Sequence, residues 1–226
     1  MSDPTPHRWL LALHSSSDTL GVALKPLATH HDDEDSPRVE AFPLGRSLAH
    51  ALLGCVEAVL PASRWRELGR LAVATGPGGF TGTRLTVVLA RTLAQQLALP
   101  LDGIGSFPLI ARRLLACRGA ELGSGFWLIQ ELPRRGLVAG LYAADPASPA
   151  GLREWCPPRL YADADALAAV ERQLGRARAV WLPAEPSLPA DVLGLLELSQ
   201  LAALQNCPAP WQTVLPLYPT SPVALG

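Results

Sequence analysis

The chain has 226 residues, of which 49% are hydrophobic and 17% charged, and its formal net charge at pH 7 is −1. It is long enough to bury a sizeable core and too long for one minimal domain, so one large domain or two small lobes both fit. A net charge of −1 argues against a protein that binds nucleic acid strongly without a partner, because phosphate contacts need a basic surface.

Cysteine spacing and hydropathy indicate the cellular compartment of the protein. The four cysteines form no C-x-x-C pair, which argues against a disulfide framework or a zinc site; they are Cys55, Cys117, Cys156 and Cys207. No run reaches the ~18 apolar residues of a membrane span. The N-terminus, with Asp3 and two prolines, does not suit a signal peptide. We therefore expect a cytoplasmic protein with no membrane partner.

The first half of the sequence predicts three successive strands and then an alternation of helices and strands. The predicted strands are 9–13, 20–24, 38–42, 71–75 and 101–104, and the predicted helices are 46–60, 82–97 and 106–116. A charged segment, His30–Pro37, reads as a solvated hairpin tip. An acidic metal site is the alternative there, but the carboxylates are adjacent rather than convergent.

The second half has weaker strand patterns. We predict strands at 126–130, 137–142 and 180–182, helices at 163–174 and 191–204, and a loop over 145–158, which is rich in proline, alanine and glycine. No internal repeat is visible in the sequence. This half therefore predicts a smaller or eroded second lobe.

A glycine-rich turn, Gly-Pro-Gly-Gly-Phe-Thr-Gly-Thr-Arg at residues 76–84, separates the strand at 71–75 from the helix at 82–97. Glycine permits so abrupt a turn, and the helix N-terminus offers free N–H groups to an anion. A tight connection without a ligand is the alternative. It is not a Walker A loop, since no Gly-Lys-Ser/Thr follows. Residues that would contact a nucleotide here are Gly76, Gly78, Gly79, Thr81, Gly82 and Arg84.

The segment from Val73 to Leu85 resembles the signature of the bacterial TsaB (YeaZ) family, G-x-G-P-G-S-F-T-G-L-R. Weaker likenesses extend it: Leu11–Leu24 to the opening hairpin, Arg134–Tyr142 to a D-A-R-R-G-E-V-Y segment, and Pro216–Val223 to the closing P-x-Y segment. The family supports threonylcarbamoylation of adenosine 37 in tRNAs that read codons beginning with A. The resemblance implies that role for this chain.

The same resemblance implies an α/β fold of the actin-like ATPase (ASKHA) type, with two ribonuclease-H-like lobes of which the second is smaller or degenerate. We predict residues 1–106 as the N-terminal lobe, with 205–226 returning to it. Residues 107–204 are then the smaller C-terminal lobe.

Departures from the family pattern fall where an ATPase of this superfamily would place polar groups. His14 stands where the family commonly has Asp, Leu132 and Leu137 replace an Asp and a Glu, and Leu48 replaces a His. Histidine has no anionic oxygen for Mg²⁺. Ser15–Ser17 lack the G-x-S-x-G elbow of a hydrolase. We expect no catalytic residue, metal or cofactor in this chain alone; ATP or ADP is left to the assembled complex.

Two helices carry more apolar surface than one core contact requires. On a helical wheel the apolar residues of 46–60 and 82–97 each fill about 200°, against the ~100° stripe of a surface helix. They either cover each other and the second lobe, or meet a partner. The family pairs through these helices, with TsaD or with itself. Predicted contact residues are Leu48, Leu52, Cys55, Val56, Val59, Val87, Leu89, Ala90, Leu93, Ala94 and Leu97.

The leading hypothesis is thus a non-catalytic scaffold that activates a TsaD-like transferase, with a TsaE-like ATPase as a further partner and tRNA reached only through the complex. A second copy of the chain could occupy the same helices. The alternative is an autonomous small ATPase or sugar-kinase-like enzyme. A self-associating binding module unrelated to tRNA is a third hypothesis.

Overall fold

The computed structural model describes residues 9–27, 36–122, 125–175 and 179–218. The strands are β1 (Trp9–His14), β2 (Thr19–Pro26), β3 (Arg38–Pro43), β4 (Leu68–Ala74), β5 (Leu101–Ile104), β6 (Phe126–Leu132), β7 (Gly136–Ala144), β8 (Leu152–Tyr161) and β9 (Val180–Pro183). The α-helices are α1 (Leu48–Val59), α2 (Phe80–Leu97), α3 (Ser106–Arg118), α4 (Ala164–Gln173) and α5 (Ala190–Leu204). Of the charged segment, residues 30–35 lie outside the described residues, as does the tail beyond Tyr218.

The first sheet has the strand order β3-β2-β1-β4-β5. β1 pairs antiparallel with β2 and parallel with β4, so that Leu11 lies beside both Leu24 and Leu71. β1 is apolar at nearly every position because both of its faces are covered, and a strand buried on both sides shows no alternation. This order matches the ribonuclease-H-like lobe implied by the three predicted strands and the alternation after them.

Alternate residues of these strands face different helices. Leu11 and Leu13 lie in one apolar cluster with the buried residues of α1 and α2. α5 packs on β1, β2 and β4. A Cβ built on Gly21 would lie 3.0 Å from Val192 of α5, so a small residue there lets this helix approach the sheet.

The second sheet has the order β8-β7-β6-β9, which repeats the first four positions of the first sheet without a fifth strand. Phe107 and Ile110 of α3 pack on one face of it with Phe126. Leu167 of α4 packs on the other face with Trp127. The chain therefore has the actin-like ATPase fold, with two ribonuclease-H-like lobes of which the second is the smaller.

The division of the chain differs from the prediction at two places, residues 187–204 and the described end at Leu217 and Tyr218, which the prediction returned to the first lobe. The described residues of 9–106 and 187–216 form the first compact unit, and those of 107–186 form the second, together with Leu217 and Tyr218. Assigning 187–204 to the second lobe was wrong, because α5 covers the first sheet rather than the second. Its sequence did not reveal this: apolar residues surround the whole helix, so no single face identifies a sheet.

One strand was missed. The prediction of a loop over 145–158 was wrong from Leu152 onward, where β8 runs for ten residues along β7. The prediction failed because of Pro157 and Pro158. Proline has no N–H to donate to a neighbouring strand, so its presence argues against a strand. β8 lies at the edge of its sheet, where that loss is tolerated. The other predicted strands and helices are confirmed to within three residues at each end.

A buried ion pair joins β4, β5 and α5. The Arg70 guanidinium donates two hydrogen bonds to the Asp102 carboxylate, at 2.7 and 2.9 Å. Ser199 of α5 donates to the same carboxylate, and Arg70 also donates to the Cys207 carbonyl, at 3.2 Å. Only 6% of Arg70 is exposed, so these acceptors take the place of water in stabilising the charge of its guanidinium.

Asp102→Asn should lower the free energy of unfolding by about 2 kcal/mol. The amide keeps the size of the side chain but removes one charged acceptor from a buried guanidinium, and a hydrogen bond to a charged group contributes about 1.5 to 3 kcal/mol. Urea unfolding followed by circular dichroism measures the change. The exposed pair Arg118–Glu121 gives the control, since Glu121→Gln should change stability by less than about 1 kcal/mol. Equal losses would contradict a special role for the buried pair.

Candidate functional site

The glycine turn packs against the loop that follows β1. Gly79 N–H donates to the Ser16 carbonyl at 2.9 Å, and Ser106 N–H donates to the Gly76 carbonyl at 2.7 Å. A Cβ built on Gly78 would lie 2.4 Å from the Ser16 Cβ and 2.5 Å from its carbonyl oxygen. The absence of a side chain at Gly78 is therefore required by the chain's own loop.

Buried hydroxyl groups fill the space around this contact. Ser15 Oγ lies 2.6 Å from Thr86 Oγ1, and Thr86 donates to the Gly82 carbonyl at 3.0 Å. Ser16 and Ser106 form a second hydroxyl pair. All four hydroxyl-bearing residues are buried. We call them the hydroxyl cluster (Ser15, Ser16, Thr86 and Ser106); it links the end of β1 to the starts of α2 and α3.

His14 is the last residue of β1 and directly precedes Ser15 of this cluster in the sequence. It is fully buried. Ser16 N–H makes a long contact of 3.5 Å with its Nδ1, and its Nε2 has no hydrogen-bond partner among the described residues. Burial lowers the pKa of His14 from 6.5 to about 3. The imidazole is thus neutral at physiological pH and offers no negative charge to a cation.

This histidine makes stability depend on pH. Because folding lowers the pKa of His14, the unfolded chain binds the proton first, and acid favours unfolding. The stability that goes with a neutral His14 is fully present above pH 6.5 and is lost progressively as the pH falls towards 3. The loss of unfolding free energy reaches about 2 kcal/mol at pH 5. In His14→Asn, the fall in unfolding free energy between pH 7 and pH 5 should be smaller by that amount. Equal falls in both proteins, measured in urea, would contradict this account.

The residues predicted to contact a nucleotide divide into two groups. Gly76 and Gly78 lie against Ser106 and Ser16, and a Cβ on Gly82 would lie 3.0 Å from Leu48. Thr81 and Arg84, in the first turns of α2, are exposed, as is Gly79. Close packing within the chain therefore explains the buried glycines without a bound phosphate.

The predicted partner contacts on α1 and α2 need correction, because most of them are inside the first unit. Eight of the eleven are buried in the core under the first sheet: Leu48, Leu52, Val56, Val59, Val87, Ala90, Leu93 and Ala94. Cys55, Leu89 and Leu97 are half-buried against the same core. The wide apolar arcs are largely used by the chain itself, because each helix packs on the sheet and on its neighbour.

A smaller apolar surface remains on these helices. Leu53 is 48% exposed and Val88 is 58% exposed. Three small residues of α1 are exposed with them: Ala49, Gly54 and Ala58. We call these five residues the outer α1–α2 surface. The prediction missed its two large members because a wheel gives the width of an apolar arc, and only the fold shows which part of it the sheet covers.

Other kinds of site are not evident in the part of the chain that the structure describes. There, three or more His, Cys, Asp or Glu side chains do not converge on a point that could hold a metal ion. Across the same residues, no helix combines the length and apolarity needed to cross a membrane.

Known proteins share both sequence and fold with this chain. TsaB proteins, named tRNA threonylcarbamoyladenosine biosynthesis proteins, are 33% identical in Bacillus subtilis (59% of this chain, 54% of that protein) and 26% identical in Escherichia coli (58% of each). YeaZ from Pseudomonas aeruginosa superposes with a TM-score of 0.67 at 20% identity, over 93% of this chain and 99% of that one. Over part of its sequence and over most of its fold, the chain is similar to the TsaB (YeaZ) family.

Further comparisons agree with this similarity. Residues 44–117, which include α1 and α2, match the family of TsaD, a tRNA N6-adenosine threonylcarbamoyltransferase. A second Pseudomonas aeruginosa structure, described as similar to the peptidase YeaZ, superposes with a TM-score of 0.68 at 20% identity, which shows the shared fold. The matches to the TsaB proteins span about half the length of those relatives.

Proposed function

We propose that this chain is a non-catalytic subunit in the synthesis of threonylcarbamoyladenosine at position 37 of tRNA, in the cytoplasm. It would bind and activate a TsaD-like transferase, with a TsaE-like ATPase as a further partner. The names of the TsaB relatives and the match of residues 44–117 to TsaD support the pathway. The non-catalytic role is inferred from the residues at the end of β1 and in the glycine turn.

The observation that carries this role is the packing at the end of β1. An ATPase of this fold would need an anionic group near Mg²⁺ and the phosphates. This chain has a buried, neutral His14 there. The hydroxyl cluster and the Ser16 main chain pack directly against the glycine turn. These contacts stabilise the first unit and provide no group for phosphate chemistry.

A scaffold also needs a surface for its partner, and the outer α1–α2 surface supplies a candidate. Exposing Leu53 and Val88 to water is unfavourable, and burial of apolar area at ~25 cal/mol per Å² favours association. Small residues beside them allow another backbone to approach closely. This surface would bind the TsaD-like protein or, in its absence, a second copy of the chain.

The test is removal of the protein from its host. Depletion should lower the threonylcarbamoyladenosine content of bulk tRNA, measured by nucleoside mass spectrometry, and re-expression should restore it. Affinity-tagged chain should co-purify with the host's TsaD-like protein. Unchanged modification after depletion would overturn the assignment to this pathway.

Calorimetry separates the scaffold from an autonomous ATPase or sugar-kinase-like enzyme. Mg-ATP titrated into the purified chain should show no micromolar binding and no turnover. Binding with hydrolysis by the chain alone would overturn the non-catalytic role while leaving the pathway intact.

A further inference from the structure

Strand β8 carries two arginine–aromatic pairs on one side of the second sheet. The Arg153 guanidinium lies 5.0 Å from the Trp155 ring centroid, and that of Arg159 lies 5.1 Å from the Tyr161 ring centroid. Arg159 also donates to the Tyr161 hydroxyl at 2.8 Å. We call these four residues the β8 strip. Trp155 is 46% exposed, so its ring faces solvent as well as Arg153.

This edge does not suit the addition of another strand. β8 is the outermost strand of its sheet, but Pro157 and Pro158 remove two consecutive N–H donors from it. The pairing with β7 is also irregular between Ala139 and Tyr142. A ligand of this edge therefore meets side chains rather than backbone groups.

Arginines are concentrated at one end of this sheet. The described residues of 107–186 contain eight arginines and eight carboxylates, so a preference for an anion depends on where the arginines lie. Arg134 and Arg135 are exposed in the β6–β7 turn. This turn touches the end of β8, since a Cβ on Gly136 would lie 2.1 Å from the Tyr161 carbonyl oxygen. Three arginines thus belong to the end of the sheet that holds Tyr161.

Two acidic side chains nearby are already engaged. Asp145 pairs with Arg153 at 3.3 Å and so fixes the guanidinium over Trp155. Glu154 accepts a hydrogen bond from the Tyr142 hydroxyl at 2.9 Å. Glu154 and Tyr142 are directly paired across β8 and β7, and Tyr142 belongs to the apolar cluster under α3, on the other face from Tyr161. Because Asp145 already pairs with Arg153, the free positive charge of this edge belongs to Arg159, Arg134 and Arg135.

From these contacts we infer that the β8 strip binds single-stranded RNA. A base would stack on the exposed Trp155, and Arg159, Arg134 and Arg135 would contact successive phosphates. Stacking suits unpaired bases, whose faces are accessible, whereas a duplex hides them. The inference deepens the proposed function by giving the chain its own weak contact with an unpaired segment of tRNA.

The experiment uses the full chain and a fluorescein-labelled single-stranded RNA of about twelve nucleotides. Fluorescence anisotropy should show saturable binding that weakens between about 50 and 200 mM salt, because phosphate contacts release counterions. Trp155→Ala should weaken binding at least about fivefold. Arg159→Gln should weaken it and also reduce its dependence on salt.

Leu160→Ala is the matched control. Leu160 is 39% exposed on the same strand, but it pairs with Val138, whose cluster lies on the opposite face from Tyr161. The affinity of Leu160→Ala for the RNA should stay within twofold of that of the native chain. Thermal melts should show that all three variants are folded. Absence of saturable binding, equal losses in Trp155→Ala and Leu160→Ala, or preference for duplex RNA would overturn the inference. Because no transferase is involved, such failure leaves the depletion result unaffected.

Discussion

Gly78→Ala should destabilise the first unit by about 3 kcal/mol or more. The new methyl group would lie 2.4 to 2.6 Å from Cβ, Cα and carbonyl oxygen atoms of Ser16, distances that no side-chain rotation can relieve. Either the loop after β1 or the glycine turn must move. Movement would stretch the Gly79–Ser16 hydrogen bond and separate the Ser16–Ser106 hydroxyls. Overpacking of this kind costs 1–3 kcal/mol, and more where backbone must shift.

Gly79→Ala is the control, one residue away in the same turn. A Cβ there would meet nothing closer than 3.9 Å, so the expected loss is below about 1 kcal/mol. Urea denaturation of the two variants beside the native chain measures the difference. If both alanines cost the same, glycine would be needed in this turn for its backbone freedom and not for the contact with Ser16.

The sequence predicted the glycine turn well because its requirement is local. A buried strand that meets a helix within a few residues needs glycine, and the strand and helix patterns beside it are strong. What fills the turn is not local: Ser16 and Ser106 are ninety residues apart, and only the fold brings their hydroxyls together. The sequence indicated an anion site or a tight connection, and the packing favours the connection.

The position of α5 illustrates a different limit. Apolar residues surround this helix, so its pattern predicts that the helix is buried but does not indicate which sheet it packs on. The small residue that admits it, Gly21, lies in β2, about 170 positions earlier. The pairing of Arg70 with Asp102 and Ser199 is likewise a product of topology. Local patterns therefore predicted most strands and helices but not which sheet receives a uniformly apolar helix.

Replacing both Leu53 and Val88 by aspartate should abolish association through the outer α1–α2 surface while leaving the fold intact. Each is about half exposed, so a charge at either position stays hydrated in the free chain. Buried against a partner, the two carboxylates would lose water without gaining a counter-charge. We expect at least about a hundredfold weaker binding, or roughly 3 kcal/mol. Co-purification of the TsaD-like protein and sedimentation of the chain alone measure both occupants.

Two further variants show whether the loss is specific. Leu174→Asp changes a leucine of similar exposure, 46%, in the second unit and should leave association unchanged. Leu52→Asp places the charge in the core, where only 7% of the side chain is exposed, and should unfold the first unit in thermal melts. If Leu53→Asp/Val88→Asp still pairs as the native chain does, the partner binds elsewhere. If it unfolds as Leu52→Asp does, these helices have no free surface, and the scaffold would need another docking face.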